Sequence, residues 1–337
     1  MNILTRSTGQ LDSFRGDDMQ RLWDRMRKNR FVVLGRVGMD LYADPPGTKI
    51  EDALRFFPAL GGSAGNIAVA LARQGAGAEL LARVSDDAVG RYSLAELARY
   101  GVGTRYVTTA GGEARNSLAV TETRATDCQV VLYRNGAADF ALTSKDAEAV
   151  DFSQVSALIV TGTALAAEPS RNATLAAIAR AKQAGALVVF DVDYRAYSWS
   201  GRAEAAQICR GVAEASDIVI GNDEEFAMMA TNPAQGQALA QRLGASSAFA
   251  VYKMGALGCV TYTPDFSFVS PIFAVKALKP MGAGDGFMGG LMAGLAQGCL
   301  LDVAVSRGAA TAAIIVSGVG CAPASPDTAT LNAFMAR

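Results

Sequence analysis

The stretch of this chain with the most chemistry in it is residues 279–298, KPMGAGDGFMGGLMAGLAQG, where Gly282, Ala283 and Gly284 run into Asp285 and then into a helix-like segment, Phe287 to Leu295. A loop that ends at a helix start leaves backbone N–H groups unpaired and puts the positive end of the helix dipole there, so it can hold an anion such as a phosphate oxygen. Glycines let the backbone approach a ligand with no Cβ in the way. A carboxylate in the first turn can take a proton from an attacking hydroxyl while the anion hole holds the group in transfer, which is a kinase layout. The competing reading is an ordinary helix start capped by Asp285, and G-A-G-D alone supports the two about equally.

Further candidates fall where strands end. FVVLGRVGMD, residues 31–40, reads as an apolar strand closing in glycines and Asp40. Ligands of α/β sheets bind beyond the carboxyl ends of strands, which places Asp40 to accept hydrogen bonds from two sugar hydroxyls. A dinucleotide fingerprint needs G-x-G-x-x-G there, and Gly35 and Gly38 are spaced wrongly for it. Next, LGGSAGNIAVALARQGA is a glycine turn entering a helix, with Gly61, Gly62 and Asn66 at G-G-x-x-x-N; a tight turn with a capping side chain explains it as well. A strand at 79–84 and a helix over about 88–100 follow.

Residues 116–134 alternate apolar and polar about a short polar turn, the pattern of a β-hairpin, and end in Tyr133 and Arg134. This hairpin, in an insertion over about 105–135, and the segment 41–60 both interrupt a β-α-β-α rhythm. Paired as a small sheet they would cover the carboxyl end of the main one, and a closing lid excludes water. An arginine near a site invites a carboxylate or phosphate, with a solvent-facing arginine as the alternative. From residue 157 the alternation is regular, and the strands ALIVTG, ALVVFDVD and DIVIGN are continuous apolar runs, as in a parallel sheet buried on both faces. Asp191, Asp193 and Arg195 lie past the second of these. Asn222 and Glu225 lie past the third, spaced to hold a hydrated magnesium ion or to form a plain N-cap. SAFAVYK delivers Lys253 into MGALG, GCVTYT and SFVSPIFAV read as further strands, and two alanine-rich helices follow Asp302.

Composition narrows the chemistry. The chain has 337 residues, half of them hydrophobic, which suits one large α/β domain from about residue 31 to 337 behind an N-terminal extension of about 30 residues. In that extension residues 1–18 are polar and aperiodic, whereas Met19, Leu22, Trp23 and Met26 fall on one helix face. With 31 basic against 32 acidic residues and no basic block, nucleic acid is not an expected partner. No run approaches the ~18 apolar residues of a membrane span, and the start carries no signal-like apolar core. Five scattered cysteines without a C-x-x-C pair suit a reducing cytoplasm. The chain contains no histidine, which removes the usual general base, the usual zinc ligand and every Ser-His or Cys-His pair. Acid–base work falls to carboxylates, lysine or tyrosine.

Taken in order, Asp40, G-G-x-x-x-N at 61–66, N-x-x-E at 222–225, K-x-G at 253–255 and G-A-G-D at 282–285 resemble the ribokinase-like (PfkB) family of carbohydrate kinases over residues 31–336. The resemblance implies a three-layer α/β/α sandwich with a mainly parallel sheet and a small β-sheet lid, ATP with Mg2+ as phosphoryl donor, and an aspartate base. Carried over residue by residue, Asp285 is the base and Gly282, Ala283 and Gly284 are the anion hole. Asn222 and Glu225 form the magnesium–phosphate site, acting through water. Lys253 and Gly255 belong to the nucleotide site, and Asp40, Gly62 and Asn66 to the sugar site. Lid sheets of this family often pair, which implies a homodimer. One departure stands out: many members carry Asp-Thr two residues ahead of G-A-G-D, associated with a monovalent cation, and Lys279 and Pro280 here leave potassium activation in doubt. Within the family, LGRVGMDLYA, YRNGAADFAL and FDVDYRAYSW are similar to members acting on a sugar acid of inositol breakdown; kinases of 2-keto-3-deoxygluconate, similar at Tyr133 and Arg134, come second and neutral-sugar kinases third. A substrate carboxylate would then be met by Arg36, Arg134 and Arg195, with Tyr133 beside them.

Overall fold

The computed structural model describes residues 17–230 and 232–337. Helix α1 (Asp17–Met26) lays Leu22 and Met26 into the core, and the Trp23 indole donates to the Cys299 carbonyl at 3.1 Å. The polar residues 1–16 before it lie outside the described residues.

After β1 (Arg30–Leu34) the chain leaves through a hairpin, β2 (Gly38–Asp44) and β3 (Arg55–Gly61), and returns by α2 (Ser63–Arg73) to β4 (Gly77–Ser85), α3 (Ala88–Arg99) and β5 (Gly103–Ala110). A second excursion, β6 (Ser117–Thr121) and β7 (Val130–Tyr133), leads through α4 (Ser144–Glu148) into β8 (Ala157–Thr161), α5 (Ser170–Gln183), β9 (Leu187–Asp191), α6 (Arg202–Ala215) and β10 (Ile218–Asn222). Then come α7 (Asp223–Met229), α8 (Gly236–Ser246), β11 (Phe249–Lys253), β12 (Cys259–Tyr262) and β13 (Ser267–Ser270). The chain closes with α9 (Ala283–Ala296), α10 (Leu301–Val316) and α11 (Thr328–Met335).

The large sheet has nine strands in the order β13-β12-β11-β10-β9-β8-β1-β4-β5; every pairing is parallel except those on either side of β12, which alone runs against the rest. Its central strands are buried on both faces, and the side-chain period of two divides them between two cores. Val33, Ile159, Val189, Ile220 and Val251 join the layer of α1, α2, α3, α9 and α10. Val32, Leu158, Val188, Val219 and Ala250 join the layer of α5, α6, α7 and α8. Each buried valine, leucine or isoleucine among them contributes about 1.5–3 kcal/mol of apolar transfer. The result is an α/β/α sandwich. Among the described residues no helix is long and apolar enough to cross a membrane.

The two excursions share one four-stranded sheet, β3-β2-β6-β7, in which β2 pairs antiparallel with β3 and parallel with β6. Three expectations change in detail. Residues 31–40 are not one strand: the chain turns out at Gly35, where a Cβ would stand 2.3 Å from Thr161 Oγ1, and Asp40 rides on β2 of the small sheet. The second excursion begins after Ala110, not at 105, because β5 pairs with β4 in the large sheet. Of SFVSPIFAV only Ser267–Ser270 pairs, since Pro271 has no N–H to extend the ladder.

Candidate active site

Four helix glycines place the start of α9. Gly286, Gly289, Gly290 and Gly294 are buried, and added Cβ atoms would stand 2.5 Å from Ile315 Cδ1, 2.4 Å from Ala70 Cβ, 2.4 Å from Thr311 Oγ1 and 3.1 Å from Arg307 Cδ. The helix is thus wedged between α2 and α10 with backbone in near contact. Its N-cap, Gly282, has φ 81, and a Cβ there would meet Cys321 Sγ at 2.4 Å, so glycine is demanded twice over. The N–H groups of Ala283, Gly284 and Asp285 then face outward with no partner in their own helix.

Asp285 sits in that first turn, partly exposed. Asn66, in the first turn of α2, donates from Nδ2 to Asp285 Oδ2 at 2.8 Å. Burial raises the Asp285 carboxyl to about 6, the negative charge of Asp193 adds to this, and the Asn66 hydrogen bond, Arg195 and Arg36 oppose it. Lys253, at the end of β11, brings Nζ to 3.4 Å from where a Gly284 Cβ would be, and 5.8 Å from the Phe287 ring centre. A cation therefore stands beside the helix start, and the smallest residue makes room for it.

Three more carboxylates gather at the strand ends. Asp193, at φ 35, accepts from Thr163 Oγ1 at 3.1 Å and pairs with Arg195 at 2.8 Å; that pairing holds the guanidinium well above its ordinary range. Asn222 and Glu225 cap α7 reciprocally: Asn222 Oδ1 accepts from the Glu225 N–H at 2.8 Å and Glu225 Oε2 from the Asn222 N–H at 2.7 Å. Glu225 Oε1 accepts from the Tyr194 N–H at 3.2 Å. The cheaper reading of N-x-x-E, a capping box, thus describes its local geometry. Asp191 has no role that the sequence alone assigns, yet the structure brings it into the same cluster. Burial raises its carboxyl well above the usual range, with Lys253 opposing and Asp193, Glu225 and Asp285 adding. Among the described residues it accepts no hydrogen bond. The signal for it was an acid closing an otherwise apolar strand. No group of three or more Asp, Glu, Cys or His side chains among the described residues is arranged as a metal site.

On the opposite wall, Asp40 is buried on β2 and receives a hydrogen bond from Tyr42 Oη at 3.3 Å. Burial raises its carboxyl against the lowering charge of Arg36. Gly61 leaves it room, since a Cβ there would lie 1.9 Å from Asp40 Oδ1. Gly62, at φ 91, opens α2 with a would-be Cβ 2.5 Å from the Arg36 carbonyl. Arg36 Nη1 donates to Ser117 Oγ at 3.0 Å, while Arg36 Nε and Asn66 Oδ1 are buried without partners. Gly255, at φ 55, turns the chain beyond β11 with open space about it.

Two expected residues stand apart from this cluster. Tyr133 pairs with Leu118, which pairs with Met39, so alternation puts it on the face of the small sheet opposite Asp40, where it is 60% exposed. Arg134 is buried and already committed: it pairs with Asp139, donates to the Thr163 carbonyl at 3.0 Å and Ser198 Oγ at 3.2 Å, and lies 4.1 Å from the Phe140 ring centre. It touches the carbonyl of the residue that holds Asp193, one layer behind the cleft.

Known proteins resemble this chain over most of its length. The sequence profile of the pfkB family carbohydrate kinase matches residues 28–328. A 5-dehydro-2-deoxygluconokinase of Photobacterium profundum is 41% identical over 310 residues, 90% of this chain and 94% of that protein. A 5-dehydro-2-deoxygluconokinase of Geobacillus kaustophilus is 34% identical over 319 residues, 93% of this chain and 95% of that protein. Among solved structures, a fructokinase double mutant of Vibrio cholerae O395 in its fructose-, ADP- and potassium-bound form superposes with TM-score 0.79 at 26% identity, covering 90% of this chain and 98% of that one. With the sandwich, the glycine-cradled helix start and its aspartate all in place, the chain belongs to the pfkB family of carbohydrate kinases.

Proposed function

We propose that this carbohydrate kinase transfers the γ-phosphoryl group of ATP to the primary hydroxyl of a sugar acid, 5-dehydro-2-deoxy-D-gluconate, giving its 6-phosphate. The observation that carries the chemistry is the Asn66–Asp285 hydrogen bond at the start of α9, with Lys253 beside Gly284. The substrate rests on the names of the two bacterial relatives and on guanidinium groups suited to a carboxylate.

In this reading Asn66 holds one oxygen of Asp285 and leaves the other to take the proton of the attacking hydroxyl. The bond from the sugar oxygen to the γ-phosphorus forms as the bond to the β–γ bridging oxygen breaks, and ADP leaves. The N–H groups of Ala283, Gly284 and Asp285, with Lys253, face the charge that develops on the phosphoryl oxygens. Asp40 accepts hydrogen bonds from sugar hydroxyls, beside Gly62 and the free Asn66 Oδ1. Arg36 and Arg195 meet the acid's carboxylate, and closure of the small sheet excludes water. The unpartnered oxygens of Asp191 fit a hard cation; with Asn222 and Glu225 they would hold Mg2+ through water, and Mg2+ would neutralise phosphate charge there.

The same proposal extends to assembly and place. The outer face of the small sheet exposes Phe56, Val131 and Tyr133 on one side, an apolar surface suited to a second copy of the chain. Five free cysteines and a dependence on ATP suit the cytoplasm.

The test is an ADP-release assay with Mg-ATP against 5-dehydro-2-deoxygluconate, 2-keto-3-deoxygluconate and fructose, on wild type and Asp285→Asn. Turnover with the first and its loss in the variant are expected. Preference for another sugar would overturn the substrate, and an active variant would overturn the base.

A further inference from the structure

Beneath the anion hole lies a cation that the proposed chemistry does not use. The side chain of Lys279 is fully buried. Its ammonium donates to the Met281 carbonyl at 2.8 Å and the Ile315 carbonyl at 3.3 Å, and lies 3.6 Å from Cys321 Sγ. Those three contacts use its three N–H bonds. Among the described residues no carboxylate pairs with it. Nearby negative charge comes from Asp40, whose carboxyl Lys279 helps to lower, through the chain Asp40, Tyr42, Cys321.

A buried ammonium is costly, and an apolar side chain of the same length would fill the space without that cost. What holds this one is a pair of main-chain carbonyls and a thiol sulfur, and carbonyl oxygens are the groups with which a potassium-sized ion replaces its water. The two carbonyls join two opposed dipoles. Ile315 belongs to the last turn of α10, where carbonyls carry partial negative charge, and Met281 immediately precedes Gly282 at the positive start of α9. An added ion would need the same carbonyls, so the residues present leave no room for one.

We propose that Lys279 is a tethered monovalent cation: it fixes the loop that opens α9, adds positive potential behind the anion hole, and frees turnover from any need for potassium. It acts as a positioning residue through Met281 and Gly282. The inference rests on the kinase reading above, so one arm of its test needs no catalysis.

The experiment compares wild type, Lys279→Met and Lys279→Ala in potassium chloride and in tetramethylammonium chloride at equal ionic strength. In wild type, kcat and the ligand-free melting temperature should be the same in both salts. In the variants kcat should fall by about tenfold or more in tetramethylammonium, with the KM for the sugar acid little changed. Potassium should restore part of that loss in Lys279→Ala and raise its melting temperature. A wild type activated severalfold by potassium would overturn the proposal, as would a Lys279→Ala protein that ignores potassium in both readouts. If neither variant folds, the wild-type titration decides in the same way. Absence of turnover with every sugar would sink the substrate reading alone, because the melting arm reads the cation site directly.

Discussion

Asn66 and Asp285 lie 219 positions apart and meet across 2.8 Å, each in the first turn of its own helix. The amide donates, so the hydrogen bond favours the charged carboxylate, against the burial that disfavours it. The balance leaves the group at about 6.

A base must be deprotonated to work, so kcat/KM should fall as the pH drops through about 6, with Asn66→Ala moving that limb upward. Asp285→Asn should cost about three orders of magnitude or more in kcat and leave nucleotide affinity nearly intact. A pH–rate profile with a nucleotide titration checks all three.

The same carboxyl affects stability with the opposite sign. Its folded value, about 6, lies above the ordinary carboxylate range, so the folded state holds the proton more tightly than the unfolded one. That contribution is full below about pH 4 and is lost as the pH rises through the folded value. Asp285→Asn should therefore be more stable than wild type at about pH 8, by roughly 1 kcal/mol once solvent screening is allowed for, and the gain should vanish near pH 4. Denaturant melts at the two pH values would show it, and an equal gain at both would refute it.

Arg134 and Arg195 should separate cleanly. Arg134→Ala strips a buried pair and leaves Asp139 charged and alone, at a cost of about 3–5 kcal/mol in stability. Arg195→Ala removes a half-exposed guanidinium and should raise the KM for the sugar acid by about tenfold or more, with a smaller loss of stability because Asp193 keeps its hydrogen bond from Thr163. Urea unfolding and steady-state kinetics on the pair distinguish the roles.

At the middle of α9, Gly289→Ala would press a methyl to 2.4 Å from Ala70 Cβ and 3.2 Å from the Ile67 carbonyl. Neither neighbour has a side chain that can swing away, so a loss of about 1–3 kcal/mol is expected by calorimetry.

On the outer face of the small sheet, Val131→Asp should give a monomer by sedimentation equilibrium while ligand-free folding persists. A monomeric wild type would remove the assembly reading.

Much of the sheet was legible because ALIVT, LVVFD and IVIGN are unbroken apolar runs, and only a strand buried on both faces asks for that. The start of α9 was legible because glycine has few other reasons to recur there. What the pattern concealed was direction. Asp40 followed an apolar run and read as its end, yet the chain turns at Gly35 and carries it onto another sheet. Tyr133 and Arg134 were read as a pair facing substrate; a period of two sends the first outward, and Asp139, five residues on, claims the second. Lys279 read only as a departure from a motif, because nothing local says that an ammonium will be met by a carbonyl thirty-six residues away.

The carboxylates crowded around Lys253 have one more consequence in a chain without histidine. Exposed acids titrate below the neutral range and lysines above it, and burial lifts the thiols of Cys209, Cys259 and Cys321 to about 11 or 12. A mild acid load would therefore be taken up first by the enclosed carboxylates of the cleft, where each proton bound removes a negative charge from the path of an anionic substrate. The depth at which one aspartate is enclosed thus sets where the acid limb of the rate should fall.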